Sequence, residues 1–138
     1  MEVFHMKALC FETFGNADVL QYKEIPDPII NPNEILVRTK AIGLNFADIY
    51  RRRGDYHLAG NPPYILGYEG AGIVEEIGTN VTTIKPGDRI AFADVPFANA
   101  ELVAVPSKKK QFSFQILFLL KQPLLSYYKP NGTLFNER

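Results

Sequence analysis

The sequence is short of thiols. Of its 138 residues only Cys10 is a cysteine, so no disulfide can form within the chain and no thiolate cluster can hold a metal. A single thiol is ordinary for proteins of a reducing compartment, and we therefore expect a cytoplasmic location.

A long apolar run and an excess of charge of one sign are also missing. The longest apolar run, residues 116–120, is far too short to span a membrane, and the first residues lack the apolar stretch of a signal peptide. Fifteen basic residues balance fifteen acidic ones. We therefore expect neither a nucleic acid nor a membrane as a partner.

Residues 1–107 have the pattern of a mainly β domain. Extended segments are predicted at residues 7–11, 22–25, 34–42, 70–77, 89–93 and 101–105. Residues 34–42 alternate, which predicts a buried face that includes Ile35 and a largely solvated face that includes Leu36. Pro86-Gly87-Asp88 predicts a tight turn. Many short strands at this spacing indicate a barrel or a sandwich.

One helix is predicted, over residues 45–53. Phe46, Ile49 and Tyr50 recur at helical spacing and share one face, and Gly54 follows the last residue, as glycine often does at a helix end. From the pattern alone, Phe46 and Tyr50 are interpreted as core packing on a buried helix face.

The composition changes after Ser107. Residues 108–138 contain no Ala, Val or Asp and one Glu, and their apolar residues show no clear period. Lys108-Lys109-Lys110 would be encoded by an adenine-rich tract, which is prone to slippage. Our hypothesis is that residues 108–138 are a divergent tail, read out of frame and disordered.

Four motifs carry a resemblance to a known family. They are AIGLNFAD at residues 41–48, PYILGYEGAGIV at 63–74, IG at 77–78 and KPGDRI at 85–90. In order and spacing they resemble the amino-terminal, GroES-like catalytic domain of medium-chain dehydrogenases/reductases, over about a hundred residues. The resemblance implies a mainly β fold, a partly open barrel with few helices.

The resemblance also bears on metal binding. Zinc-dependent members of the family place a Cys at the position of Asn45 and a His at that of Tyr68. Catalytic zinc needs thiolate or imidazole ligands, typically three from the protein, and neither residue supplies one. His57 alone cannot hold zinc. The resemblance therefore points to the zinc-independent branch, with no metal, where Tyr68 fills the space of the former ligand.

Within that branch the chain resembles quinone oxidoreductases, which implies hydride transfer from NADPH to a quinone or an α,β-unsaturated carbonyl. The resemblance places Asn45, Phe46 and Tyr50 at the cofactor, and Tyr50 and Tyr56 at the substrate as the catalytic candidates. Phenol groups there could hydrogen-bond a quinone oxygen while their rings pack against its face.

The arginine run and the sole thiol receive weaker interpretations. Residues 51–53 are three arginines, which could attract a 2′-phosphate but are better read as a solvated face. Cys10 is read as a small buried residue of a strand.

A whole enzyme of the family continues into a doubly wound nucleotide-binding domain with a glycine-rich turn. After Gly87 the only glycine here is Gly132, so we expect no Rossmann domain and no activity from the isolated chain. Family members are often homodimers, and the half that forms the dimer would be missing. Two alternatives stay open: a non-catalytic GroES-like remnant or binding module, and an enoyl or alkenal reductase.

Overall fold

The computed structural model describes residues 4–108. Seven strands and one α-helix follow one another in this part of the chain: β1 His5–Phe11, β2 Gln21–Pro26, β3 Glu34–Ile42, α1 Phe46–Arg53, β4 Tyr64–Ile65, β5 Glu69–Ile77, β6 Arg89–Ala93 and β7 Leu102–Pro106. A single 3-10 turn, Ala17–Val19, precedes β2. The mainly β fold class is thereby confirmed. The hypothesis of a disordered tail concerns residues that, apart from Lys108, lie outside the described ones.

The strands form two antiparallel sheets. The three-stranded sheet has the order β2-β1-β4, and the four-stranded sheet has the order β6-β5-β3-β7. In the larger sheet β3 pairs with β5 on one side and with β7 on the other. No parallel strand pair and no doubly wound unit occurs within residues 4–108. The six predicted strands all match observed ones, whereas β4 escaped prediction because it has two residues and follows two prolines.

The main core lies on one face of the four-stranded sheet. Ile35, Val37 and Val105 are fully buried there, together with Phe92 at 2% exposure. Their alternation along the strands agrees with the predicted inward face of β3. Burial of these apolar side chains is the main source of stability for the larger sheet.

The opposite face of β3 is only partly solvated. Leu36 is 6% exposed and packs with Met6, Ala8 and Leu102 in a second core cluster. The prediction of a largely solvated face is therefore wrong at Leu36, because β1 of the smaller sheet covers that end of the strand. Alternation along a single strand does not reveal a second sheet that packs from the other side.

One short segment joins the two sheets. Asn99 accepts a hydrogen bond from the backbone N–H of Leu9 in β1 at 2.9 Å, and Glu101 accepts one from Thr39 in β3 at 2.9 Å. Ala100 forms an isolated bridge with Ala8. Residues 99–101 therefore lie between the sheets, close to where α1 begins after β3.

The turn at residues 85–88 is present as predicted. Asp88 N–H donates to the carbonyl oxygen of Lys85 at 3.1 Å, and Lys85 N–H donates to the Asp88 carboxylate at 3.0 Å. Among residues 4–108 no helix is long and apolar enough to cross a membrane.

Candidate functional site

Helix α1 starts at a carboxylate cap. The Asp48 carboxylate accepts a hydrogen bond from the backbone N–H of Asn45 at 3.0 Å, although Asp48 is only 5% exposed. Asn45 has extended backbone angles, as expected of the residue that precedes a helix. At the other end Gly54 adopts a left-handed conformation with φ of 86°. The predicted helix and its glycine stop are confirmed.

The apolar face of α1 points away from the core. Phe46 is 79% exposed, Tyr50 48% and Ile49 39%, whereas the buried residues of the helix are Asp48 and Arg52. The interpretation of Phe46 and Tyr50 as core packing is therefore wrong. The sequence spacing identified the face correctly but not its direction, because the helix turns its charged side toward the protein.

Two of the three arginines are largely shielded from solvent. Arg52 is 8% exposed, and the side chain of Arg51 is 11% exposed. Only Arg53 is exposed. The interpretation of this run as a solvated face is therefore wrong for Arg51 and Arg52. The spacing of three residues between Asp48 and Arg51 signals one partner, whereas the other partners of Arg51 come from the segments beyond the helix.

Arg51 is the centre of a contact network. One guanidinium nitrogen, Nη1, lies 3.2 Å from the Asp48 carboxylate, and Nε donates to the carbonyl oxygen of His57 at 3.0 Å. The guanidinium carbon lies 3.7 Å from the centre of the Tyr68 ring and 5.1 Å from that of Tyr56. A cation over an aromatic face at this range is worth about 1 kcal/mol when partly desolvated.

Tyr68 does more than fill space. Its hydroxyl oxygen accepts a hydrogen bond from the backbone N–H of Ala59 at 3.1 Å. A phenol that accepts through oxygen keeps its own hydrogen for donation. The ring thus holds the loop before β4 against α1, and Arg51 covers its face.

The network links Asn45 and Tyr68, the two positions at which the resemblance implies zinc ligands in zinc-dependent members of the family. The backbone N–H of Asn45 donates a hydrogen bond to the Asp48 carboxylate, and this carboxylate forms an ion pair with Arg51. The Arg51 guanidinium in turn stacks on the Tyr68 ring. Within residues 4–108 no group of three or more His, Cys, Asp and Glu side chains is arranged to hold a metal. The Arg51 guanidinium that covers the Tyr68 ring is itself paired with the Asp48 carboxylate.

An apolar cavity lies beside the start of α1. Its volume is about 370 Å³, and its walls include Leu44, Asn45, Phe46 and Ile49. Of the predicted site residues, Asn45 and Phe46 line this cavity and Tyr56 lies in the Arg51 network. Tyr50 is on the outer face of the helix and lines neither this cavity nor a second one of about 270 Å³. Sequence reasoning missed Asn99, which lines both.

The sole thiol has a structural place. Cys10 is 1% exposed in β1, between β2 and β4, which confirms its interpretation as a small buried residue. Burial raises the pKa of the Cys10 thiol, and the charges of Lys23 and Glu12 contribute less. A buried thiol with a raised pKa is a poor nucleophile and a poor metal ligand.

A nicotinamide cofactor finds a partial match in these residues. Asn45, Phe46 and Tyr50 offer an amide and two exposed aromatic faces along one side of α1. The described residues include no glycine-rich turn between a strand and a helix of the kind that binds a pyrophosphate. They could therefore hold the nicotinamide end and not the phosphates.

Comparison with known proteins agrees with this architecture. Residues 31–113 match the model of the alcohol dehydrogenase GroES-like domain. A quinone oxidoreductase of Pseudomonas aeruginosa is 43% identical over 104 residues, which cover 75% of this chain and 32% of the relative. An alcohol dehydrogenase of Geobacillus stearothermophilus is 42% identical over 85 residues, covering 62% of this chain and 25% of the relative.

A solved structure gives the same result. The Escherichia coli quinone oxidoreductase complexed with NADPH superimposes with a TM-score of 0.71 at 34% identity, covering 80% of this chain and 34% of that one. The chain thus spans about a third of the length of the quinone oxidoreductases it matches. It belongs to the alcohol dehydrogenase GroES-like domain family, the amino-terminal domain of medium-chain dehydrogenases/reductases.

Proposed function

We propose that this chain provides the acceptor-binding half of a zinc-independent, NADPH-dependent oxidoreductase that reduces quinones or α,β-unsaturated carbonyls. The observation that carries the proposal is the Arg51 network, which joins Asn45 to Tyr68 through Asp48. Similarity alone does not choose between branches, because both a quinone oxidoreductase and an alcohol dehydrogenase are more than 40% identical to the chain.

The residue chemistry favours the metal-free branch. An asparagine amide and a phenol are poor zinc ligands beside thiolate and imidazole. When bound, NADPH would supply the hydride. The acceptor would then be oriented by packing and hydrogen bonds, since no metal would polarise its carbonyl oxygen.

Exposed aromatic rings on α1 and on the loop that follows it suit a planar acceptor. Phe46, Tyr50 and Tyr56 are each about half exposed or more, and their rings can pack on a flat conjugated molecule. The hydroxyl groups of Tyr50 and Tyr56 are candidates to donate to its oxygen, and Asn45 and Phe46 are candidates to contact the nicotinamide. This division of roles keeps Tyr50 and Tyr56 as the catalytic candidates.

The other parts of the proposal follow from the family. Residues 1–107 would be the GroES-like domain, and a separate nucleotide-binding domain would complete the cofactor site. We expect a cytoplasmic location and small-molecule partners only. The isolated chain would not catalyse the reaction. If no second domain is supplied, we expect a binding module without activity.

A chimera tests the function. Residues 4–108 would replace the corresponding segment of the Pseudomonas aeruginosa quinone oxidoreductase, whose remaining chain supplies the nucleotide-binding domain. We expect the chimera to oxidise NADPH in the presence of a quinone, with activity unchanged by EDTA. A chimera that folds and binds NADPH but reduces neither a quinone nor an enone would contradict the proposal, as would activity that EDTA abolishes.

The gene provides a second test. The nucleotide sequence from the Lys108 codon onward should be translated in all three frames. If another frame continues into a glycine-rich strand, turn and helix, the out-of-frame hypothesis for residues 108–138 is supported and the restored chain should oxidise NADPH. If all three reading frames soon reach a stop codon, the binding-module alternative is favoured.

A further inference from the structure

Arg52 carries a positive charge into the interior of the protein. It is one of the two buried residues of α1 and is 8% exposed. Its backbone carbonyl oxygen accepts a hydrogen bond from the N–H of Gly15 at 3.1 Å, which ties this turn of the helix to the segment after β1. An arginine is almost never buried to this extent unless its guanidinium is paired. A partner for the Arg52 guanidinium is therefore expected.

No such partner is found among residues 4–108. The guanidinium nitrogen Nη1 of Arg52 is buried and has no acceptor there. The cations that form ion pairs in this part of the chain are Lys23, Arg38 and Arg51. A buried polar atom without a partner has lost its bond to water and has gained nothing in return, and the loss is larger for a charged group.

Asp48 would be the expected partner of Arg52. It lies one helical turn earlier, and an acidic residue four positions ahead of a basic one is well placed for an ion pair. Both oxygens of its carboxylate are engaged elsewhere. Oδ2 accepts from the Asn45 N–H at 3.0 Å, and Oδ1 accepts from Nη1 of Arg51 at 3.2 Å.

The protected side of α1 therefore holds an excess of positive charge. Asp48 is 5% exposed, and two arginines are shielded with it: Arg52 is 8% exposed, and the side chain of Arg51 is 11% exposed. One carboxylate can neutralise only one of the two cations. The other has no counter-charge among the described residues, in surroundings where an unpaired charge is unfavourable. A second carboxylate at this place would balance it.

The full-length relatives indicate where a second carboxylate can come from. The chain covers 32% of the Pseudomonas aeruginosa quinone oxidoreductase and 34% of the Escherichia coli one, so that about two thirds of each relative lie outside the matched part. The end of α1 is open to such a segment, because Arg53, the neighbour of Arg52, is exposed. Arg52 is thus one residue away from the protein surface.

We propose that Arg52 binds a carboxylate from the part of the full-length enzyme that this chain does not match, and that the ion pair fixes that part against α1. The partner is a segment of polypeptide that presents an Asp or Glu side chain. A planar guanidinium can donate two parallel hydrogen bonds to one carboxylate, which sets both the distance and the orientation of the partner. Arg52 is therefore an anchor between the two parts of the enzyme.

The inference does not depend on the proposed reaction. It rests on the burial of Arg52, on the engagement of Asp48 by Arg51, and on membership of the family. Its test measures stability and not turnover. An inactive chimera would therefore count against the proposed function and leave this inference standing.

The test makes one substitution in two settings, the 138-residue chain and the chimera with the Pseudomonas aeruginosa quinone oxidoreductase. In the chain, Arg52→Met removes a buried cation that has no counter-charge, and the Tm should rise by about 3 °C or more. In the chimera, the same substitution leaves a buried carboxylate without its cation, and the Tm should fall by about 3 °C or more. A role confined to α1 would give the same sign in both settings.

Arg53→Met is the matched control. It is the same change on the same helix, at an exposed residue, and it should leave the Tm within about 1 °C in both settings. If the chimera with Arg52→Met does not fold, Arg52→Lys keeps the positive charge and should fold with most of the Tm retained. Failure of both variants would mean that charge is not what this position requires, and the proposal would be wrong.

The partner residue is identified in the chimera. Each Asp and Glu outside the transplanted residues is changed to its amide. One of these variants should lower the Tm about as much as Arg52→Met does, and the two changes together should cost little more than either alone. If no acidic residue behaves in this way, no ion pair with Arg52 exists.

Three other results would overturn the proposal. A fall in the Tm of the 138-residue chain with Arg52→Met would show that the chain supplies the partner itself, from an acidic residue such as Glu2 or Glu137. An unchanged or raised Tm in the chimera would show that no carboxylate meets Arg52 there. Stabilisation of the chimera by inorganic phosphate that Arg52→Met removes would identify a free anion as the occupant.

Discussion

The four-stranded sheet and helix α1 use their residues in opposite ways. In the sheet Ile35, Val37 and Val105 are fully buried. In the helix Phe46 is 79% exposed while Asp48 is 5% exposed. The sheet is thus stabilised by the burial of hydrocarbon. The helix is anchored by a carboxylate that caps its start and by a guanidinium that stacks on an aromatic ring. An element that exposes its rings and buries its charges has a role other than to fill the core.

The largest expected effect comes from the sheet. Ile35→Ala should lower the free energy of unfolding by about 2–5 kcal/mol, because Ile35 is fully buried and a cavity would remain. Ile29 is 94% exposed, and Ile29→Ala should change stability by less than about 0.5 kcal/mol. Urea unfolding of both variants checks the difference. Similar losses from both variants would show that burial in the four-stranded sheet does not stabilise the protein.

The helix is expected to respond to loss of a charge. Arg51→Met keeps most of the side-chain volume but leaves Asp48 without its cation and Tyr68 uncovered, which should cost about 2 kcal/mol. Arg53→Met, at the exposed end of the same run, is the matched control and should cost less than about 0.5 kcal/mol. Thermal unfolding at equal ionic strength measures both. If Arg53→Met lowers the stability as much as Arg51→Met does, the contacts of Arg51 are not what anchors α1.

A smaller effect is expected at the end of the helix. Gly54→Ala should destabilise the chain by about 1 kcal/mol, since Gly54 has φ of 86° and a Cβ there would meet the ring of Phe14. Gly87 also has a positive φ, of 93°, but nothing lies within 4 Å of a Cβ placed on it. Gly87→Ala therefore isolates the backbone strain. An equal loss at both sites would show that the Phe14 contact contributes nothing.

The smallest expected effect is on the pH dependence of stability, through the thiol of Cys10. Burial raises the pKa of this thiol above its unfolded value, so the folded state favours the protonated form. The resulting contribution to stability is complete below the unfolded pKa, near 8.5–9, and is lost as the pH rises above it toward the folded pKa. Cys10→Ala should flatten that part of the curve of unfolding free energy against pH. An unchanged slope in the variant would contradict the burial of an uncharged thiol.

Strands and helices could be predicted from the sequence where a single periodicity of apolar residues or a bounding glycine fixes their position. The strand β3 alternates, β5 is followed by Gly78, and β6 follows the turn at residues 85–88, so their positions could be predicted. The helix was found as well, with Gly54 at its end. The family motifs added the fold, because their order over a hundred residues is far more specific than any one of them.

The parts that could not be predicted depend on contacts between distant segments. Leu36 is buried by a strand from the other sheet, and Arg51 contacts not only Asp48 of its own helix but also residues that follow it by up to seventeen positions. Nothing in the sequence around Asn99 marks its side chain as buried and without a hydrogen-bond partner among residues 4–108. Periodicity reports which residues share a face, and only the packed structure reports what that face meets.

In the proposed function, Arg51 and its partners form an acceptor site that needs no metal. The most direct measurement is the zinc content of the purified chimera, determined on the same sample whose NADPH-dependent quinone reduction is measured. We expect full activity with far less than one zinc per chain. We also expect a large loss of activity in Arg51→Met but not in Arg53→Met. One zinc per chain, with activity that follows the metal, would contradict it.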